Sequence, residues 1–458
     1  MIKNYGEYQE THIQWIETVP KHWELKRGKS IFYSEKRVNK KGEWSNVLSL
    51  TKRGVIRNNI DNPVGLAPKS YDSYQLFEKD DLVFKLIDLE NISTSRVGLV
   101  WEQGIMSPAY IRLRKRHKNG HIKYYYYQYY SWYLQCVYNN LGAGVRQTIT
   151  ANELLNLVIP VPPEAEQDQI VRYLDWKLTE IDKFIRQKKK QIKRLDDIKK
   201  LETDRFVLRG VKEHVFKKTD IIGLEEVPED WEIIRNKNLF FERTEYSTTG
   251  KERLLSVSKH FGVKPSDELS ENEQYATIKP AEDMTGYKIV VKNDLVMNIM
   301  RARNGSYGIS NYDGIVSAAY CVYGIKRKCN TQYIHYLLRS KSIINTYEAY
   351  AYGICEHRRR LYADDFLRLY SILPDIDEQN EIVERIENLE KEFNWAISQI
   401  SREIELVQEL RTRIISDVVT GQIDVREVVI PEYDPDTIDM TDDIEDDEDL
   451  DEDPDDES

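Results

Sequence analysis

Two stretches of this 458-residue chain run without glycine or proline, residues 164 to 209 and about 377 to 420, and both carry apolar positions at helical spacing. In the first, Ile170, Leu174, Leu178, Ile181, Ile185, Ile192 and Leu195 follow the alternating intervals of a coiled-coil seam, which Lys188 interrupts once. The second places Ile382, Ile386, Leu389, Phe393, Ile397, Ile400, Ile404, Val407, Ile414 and Val418 on one stripe among charged residues. An apolar stripe needs a partner, because leaving it in water forfeits its hydrophobic stabilisation. Two such helices at equivalent places in one chain can cover each other, antiparallel if the surrounding modules are related by a pseudo-two-fold. At about 1.5 Å per residue, roughly 45 residues span about 65 Å, the length of a spacer.

Between the helices the pattern changes to short runs rich in Val, Ile, Tyr and Phe, broken by Gly, Asn and Asp, which predict strands and turns with a few helices. The same landmarks occur twice, offset by 207 to 213 residues. Val19-Pro20-Lys21-His22-Trp23-Glu24 returns as Val227-Pro228-Glu229-Asp230-Trp231-Glu232, and Leu48-Ser49-Leu50-Thr51-Lys52 as Leu255-Ser256-Val257-Ser258-Lys259. Asp81-Leu82-Val83 matches Asp294-Leu295-Val296, and the run from Gly104 to Tyr110 matches that from Gly314 to Tyr320. Pro162 through Gln167 to Ile170 and Val171 then matches Pro374 through Gln379 to Ile382 and Val383. The expected fold is α+β: two globular domains joined by two long antiparallel coiled-coil helices, with a pseudo-two-fold internal repeat. The expected segments are an N-terminal segment and first domain (1–160), a central helix (161–213), a second domain (214–372), a C-terminal helix (373–425) and an acidic tail (426–458).

Charge refines this picture. The formal net charge is -12, yet residues 432 to 458 hold 17 acidic and no basic residues; without them 61 acids face 66 bases, a net +5. The body is mildly basic, and the tail reads as a solvated, disordered segment with little to bury. Cys136, Cys321, Cys329 and Cys355 lack metal-ligand spacing and read as reduced structural thiols. No apolar run approaches the roughly 18 residues of a membrane span and no leader-like run opens the chain, so a cytoplasmic protein without membrane contact is expected.

Two similar domains held apart by a rod suit an elongated ligand such as duplex DNA with two half-sites. The landmarks repeat while the stretches between them differ, as a shared scaffold carrying two different reading surfaces requires; ordinary divergence after duplication is the bland alternative. Candidate DNA-facing residues are those able to neutralise phosphate or bond base edges beside glycine-containing loops. In the first domain they are Lys52, Arg53, Arg57, Asn58 with Asn59, and Arg146 and Gln147 after Gly142-Ala143-Gly144. In the second they are Lys259, His260, Arg301, Arg303, Asn304, and Arg358, Arg359 and Arg360. Any one of these alone is a solvated charge; Lys52 with Lys259 and Arg146 with Arg358 recur at matching places. The aromatic run Tyr124, Tyr125, Tyr126, Tyr127, Tyr129, Tyr130, Trp132 and Tyr133 reads as a packed helix face rather than a base-stacking surface. Lys188, Lys189, Lys190, Lys193 and Arg194 read as the solvated side of a helix.

The landmarks resemble the specificity subunits of type I restriction-modification systems. Four elements carry the likeness: Ile13-Gln14-Trp15-Ile16 leading to the Val-Pro-x-x-Trp-Glu opening at Val19, its second copy at Val227, the helix start from Ile159 to Gln167, and the ending from Ile414 to Val425. The resemblance implies two target recognition domains, each reading half of a split DNA sequence, with the helices as a ruler. It also implies two modification subunits bringing S-adenosylmethionine and two restriction subunits bringing ATP and Mg, with no cofactor in this chain. The acidic tail departs from that pattern, and Phe206-Val207-Leu208-Arg209-Gly210 is only a weak likeness of the second ending. The chain's own residues offer little catalysis. Gly28-Lys29 and Gly250-Lys251 lack the upstream glycine of a phosphate loop, no Asn-Pro-Pro or Asp-Pro-Pro run occurs, and Glu24-Leu25-Lys26 lies in the repeated framework without a suitable upstream acid. The expectation is a non-catalytic DNA-binding subunit; a coiled-coil protein scaffold without DNA binding and a stand-alone nuclease are the competing readings.

Overall fold

The computed structural model describes residues 4–40, 42, 44–52, 54–59, 70–89, 95–117, 120–142, 147–269, 283–353 and 359–433. Arg53, Arg146, Arg358, Cys355 and the acidic tail from residue 434 lie outside the described residues. The chain forms two compact units: unit 1 from residues up to Gln187 with the C-terminal helix from Arg402 onward, and unit 2 from Lys188 to Ser401.

Unit 1 is built on a four-stranded antiparallel sheet of β1 (Phe32–Tyr33), β2 (Leu82–Phe84), β3 (Val97–Leu99) and β4 (Ile111–Lys115), in the order β1-β4-β2-β3. Unit 2 repeats it with β5 (Phe240–Glu242), β6 (Leu295–Asn298), β7 (Tyr307–Ile309) and β8 (Tyr320–Ile325), in the order β5-β8-β6-β7. The satellites recur too. A hairpin of Leu48–Thr51 with Gly54–Arg57 has its counterpart in Leu255–Ser258 with Gly262–Pro265. The first strand after each tryptophan, Glu24–Arg27 or Glu232–Arg235, pairs with the last strand before each long helix, Val158–Val161 or Tyr370–Leu373. Each module is thereby closed on itself where its helix leaves.

The repeated residues have identifiable work. Asp81 accepts the backbone N–H of Glu78 at 2.7 Å and pairs with buried Arg112 at 2.6 Å; Asp294 does the same with Val291 at 2.8 Å and Arg243 at 2.8 Å. Each carboxylate closes the turn before the second sheet strand while neutralising a guanidinium, so truncation removes that charge's nearest partner and leaves only a longer contact to Glu78 or Glu245. Gly104 and Gly314 sit where a Cβ would lie 2.7 Å from the carbonyl oxygen of Asn46 and 2.3 Å from that of Arg253. Only glycine allows this approach, which the parallel bridges Val47 to Ile105 and Leu254 to Ile315 require.

The aromatic run forms helix α1 (Ile122–Leu134), with Tyr124, Tyr125, Tyr127, Tyr129 and Trp132 buried in the core of unit 1. Edge-to-face contacts join Phe32 to Tyr125 and Tyr129 to Trp132, both with centroids 5.2 Å apart. Base stacking on these five rings is therefore ruled out. In unit 2 the corresponding position holds α2 (Thr331–Leu338), followed by α3 (Lys341–Tyr350).

The central helix spans Glu164–Arg209 and the C-terminal helix Ile376–Val419, close to the expected bounds, and each contributes to both units. In unit 1, Ile170, Leu174, Leu178 and Ile181 share a core with Ile414, Ile415, Val418 and Val419, and Arg411 reaches Asp182 at 3.4 Å. In unit 2, Phe206 and Val207 share a core with Ile382, Val383 and Ile386, while Lys199 bonds Asn394 at 3.2 Å. Within each unit the two helical segments run in opposite directions. Among the described residues no helix is long and apolar enough to cross a membrane.

His335 on α2 is a packing element. Its Nδ1 accepts the Ile309 N–H at 3.2 Å, and its Cε1 lies 3.0 and 3.1 Å from where a Cβ would stand at Gly262 and Gly308. Burial, aided by the nearby Arg339 charge, pushes its pKa down from 6.5 to about 4. A buried base held neutral binds fewer protons folded than unfolded, so its contribution is complete above about pH 6.5 and is lost as the pH falls towards 4. Unit 2 is expected to lose on the order of 3 kcal/mol across that window, and His335→Gln to flatten this part of the profile. Urea melts at stepped pH check it; an unchanged profile in the Gln variant contradicts it.

Candidate nucleic-acid interface

A polar junction at the start of each long helix ties that helix to its module. Glu166, 6% exposed, accepts the Trp23 indole N–H at 3.0 Å, the Tyr5 hydroxyl, and a bond from His22 at 2.9 Å. Glu378, 3% exposed, accepts Trp231 at 3.1 Å and faces His214 at 2.7 Å. The next residue ties the helix to the module: Gln167 donates to the Pro162 carbonyl at 2.9 Å and accepts the His121 N–H at 2.9 Å, and Gln379 does so with Pro374 and Asn330, both at 2.8 Å. His121 and Asn330 are the N-caps of α1 and α2. One turn on, Tyr124 donates to the carbonyls of Pro160 at 2.9 Å and Val419 at 3.3 Å, and Tyr333 to those of Ile372 at 3.1 Å and Val207 at 3.2 Å. Each module thus grips the start of one long helix and the last turn of the other.

In unit 2 three clusters that are distant in sequence converge. Lys259 and His260 lie in the hairpin turn at 258–262, and Arg301, Arg303 and Asn304 lie around the 3-10 turn Ala302–Asn304 after β6. Arg360 follows α3. Its guanidinium lies 3.7 Å from the Met300 sulfur, and the next N–H, of Leu361, bonds the Ile299 carbonyl at 3.1 Å. The sequence-predicted residues do not share one role, however. Arg359 donates to the carbonyls of Ala351 at 3.1 Å and Glu348 at 3.4 Å, satisfying the last turn of α3. Asn304 is exposed, Arg301, Arg303 and Arg360 are half-buried, and Arg303 Nε is a buried donor without a hydrogen-bond partner.

In unit 1, Lys52 occupies the matching hairpin turn at 51–54 and is exposed. Arg57, in the same hairpin, forms a two-pronged ion pair with Glu102 at 2.5 Å and lies over the Trp101 ring at 5.5 Å. That pairing holds Glu102 below the usual carboxylate range, so a phosphate contact by Arg57 competes with an existing partner. Asn58 bonds Ser49 at 2.8 Å. Gln147 has a φ of 38°, and two residues on the Ile149 N–H bonds the Leu86 carbonyl, placing this segment beside the loop after β2.

Two further groupings of polar side chains lie outside these loops. His214, Asp230 and Glu378 are remote in sequence yet meet, which residue spacing had not suggested. Each ring nitrogen faces a different carboxylate, Asp230 at 3.1 Å and Glu378 at 2.7 Å, so the imidazole bridges two acids instead of aiming one lone pair at a shared ion. A cavity of about 240 Å³ in unit 1 is lined by Tyr5, Gly6, Glu7, Lys21, His22 and Arg426. Its nitrogen-bearing side chains already have acidic partners: Lys21 with Glu7 at 2.8 Å, His22 with Glu166 at 2.9 Å, and Arg426 with Asp424 at 2.7 Å. Two arginines escaped sequence reasoning. Arg96, 2% exposed, donates to the Asp88 carbonyl at 3.1 Å, and Arg339 donates to three carbonyls around the unit 2 edge. Neither has an arginine at the matching place of the other copy, so the repeat carried no signal for them.

Residues 20–194 match the family described as type I restriction modification DNA specificity domain. The chain is 24% identical over 385 residues to the type I restriction enzyme MjaVIII specificity subunit of Methanocaldococcus jannaschii, covering 76% of this chain and 85% of that protein. Its fold is similar to a chain from a solved structure on the assembly and conformational transition of a type I restriction-modification system, with a TM-score of 0.58 and 13% identity, covering 88% of this chain and 99% of the other.

The junction is testable by itself. Glu378→Ala leaves the buried Trp231 indole N–H without its acceptor and removes one of the two carboxylates facing His214, and is expected to destabilise unit 2 by about 1–3 kcal/mol while Glu378→Gln, which keeps an oxygen, costs less. Tryptophan fluorescence during urea unfolding measures both; equal stability of Ala variant and parent contradicts the assignment.

Proposed function

We propose, from the premise that residues 20–194 form a type I restriction-modification DNA specificity domain whose plan recurs in the second half of the chain, that this protein reads a bipartite DNA target as the specificity subunit of such a complex. The observation that carries the reading is the strand-by-strand duplication of the scaffold with dissimilar basic clusters on the corresponding loops. A duplicated frame with unlike edges suits two unlike half-sites, since base contacts specify sequence locally while the frame sets register. In this reading residues 19–160 read one half and 227–372 the other, and the long helices form an antiparallel pair that fixes the gap.

The chain is non-catalytic here. Two modification subunits, docked mainly on the exposed sides of the helices, supply S-adenosylmethionine chemistry on a flipped adenine, and two restriction subunits supply ATP- and Mg-dependent translocation and cleavage. The sequence carries no phosphate loop. The scaffold alternative expects no salt-dependent affinity for duplex; the nuclease alternative expects cutting by the chain alone with Mg.

Lengthening the central helix by one turn near residue 190 adds about 5.4 Å, between one and two base pairs at about 3.4 Å each. Mapping methylated sites in cells carrying the variant and its modification subunit is expected to show both half-sites unchanged and the gap widened. An active variant with an unchanged gap contradicts the ruler.

A further inference from the structure

Two of the three segments at the unit 2 edge are the hairpin turn with Lys259 and His260 and the 3-10 turn with Arg303 and Asn304. One side chain joins them. Arg339, the C-cap of α2, donates through Nη1 to the carbonyls of Gly305 at 3.0 Å and Tyr307 at 2.8 Å, and through Nη2 to the carbonyl of Lys259. A planar guanidinium offers five donors in a rigid fork, so it can hold three carbonyls from two segments at one spacing; an ammonium cannot hold the same plane. The turn is otherwise shaped locally: Asn298 Oδ1 accepts the N–H of Met300 at 3.1 Å and of Arg301 at 3.3 Å, and Gly305 adopts φ 81°. Those bonds set the form of the turn, and Arg339 sets its distance from the hairpin.

In unit 1 an arginine at another place braces only the loop that corresponds to the 3-10 turn. There the loop after β2 is held by Arg96, which leads into β3 and donates to the Asp88 carbonyl at 3.1 Å, while Asn139 Nδ2 donates to the Leu89 carbonyl at 2.8 Å. Burying a guanidinium is costly unless it is well hydrogen-bonded, and a hydrophobic side chain fills space at lower cost. An arginine spent on loop carbonyls in each module points to a demand for exact loop placement beyond stability.

We propose that Arg339 is a positioning residue for sequence reading by the second module, holding the hairpin turn and the 3-10 turn in the register that engages one half-site, and that Arg96 positions the single loop after β2 in the first module. This rests on the DNA-reading function above. Neither residue touches DNA; each acts through the backbone it braces, where a displacement of about 0.5 Å already degrades a bidentate base contact.

The test uses the full-length chain assembled with its modification subunit. Binding is measured on a target duplex, on duplexes with either half scrambled, and on non-specific duplex. Arg339→Gln is expected to lower discrimination of one half-site at least about tenfold, leaving the other half and the non-specific affinity within about twofold; Asn304→Ala should affect that same half. Arg96→Gln is expected to affect the opposite half, and Arg339→Lys to fall between parent and Gln variant. A folded Arg339→Gln variant that discriminates both halves like the parent, or loses both equally, overturns the proposal, as does loss of the same half in both arginine variants. Should Arg339→Gln fail to fold, Arg339→Lys decides by the same criteria. A parent complex that does not discriminate sequence overturns the DNA-reading function itself, a result distinct from every outcome above.

Discussion

Everything in each module hangs on one buried carboxylate in the first turn of a long helix. Glu166 and Glu378 accept the tryptophan that follows the Val-Pro opening, and the adjoining Gln167 and Gln379 hold both the helix start and the N-cap of α1 or α2. A buried carboxylate is tolerable only when its oxygens are well supplied with donors, so the helix start, the opening strand and the domain helix must come together or not at all. The consequence reaches outward: the start of the helix leaving a module is held by the same residues that hold the opening segment and the domain helix.

Duplication with drift appears at the level of single bonds. His22 precedes Trp23 and reaches Glu166, whereas the corresponding residue in the second copy is Asp230 and the imidazole comes from His214. The loop brace moves likewise, from Arg96 before β3 to Arg339 at the end of α2. The chemistry at each location is retained while its supplier changes, which leaves the loops themselves free to diverge. Polar residues at the edges then divide by their surroundings. Arg359 closes a helix end, Arg57 is paired with Glu102, and Asn304 and Lys52 lie on the exposed turns.

The long helices and the repeat were legible in the sequence because both are periodic: Glu164–Arg209 matched its Gly- and Pro-free stretch, and every landmark pair fell on equivalent elements. The landmarks turned out to mark close backbone approaches and buried polar junctions, as at Gly104, Gly314, Asp81 and Asp294, where few residues can substitute. The edges were less legible. Residue type gives a guanidinium's chemistry but not its neighbours, so Arg359 looked like Arg360 until the α3 carbonyls were in view. Nothing in spacing could bring His214 to Glu378 across 164 residues, or reveal that Arg339 serves two loops.

A chain that reads two unlike half-sites at a set separation imposes both on the DNA it selects. Duplexes selected from a fully random pool by the assembled complex of this chain and its modification subunit are expected to carry two short, dissimilar sequence blocks separated by a fixed number of unspecified base pairs. A single contiguous block, two blocks at variable separation, or no enrichment would contradict it.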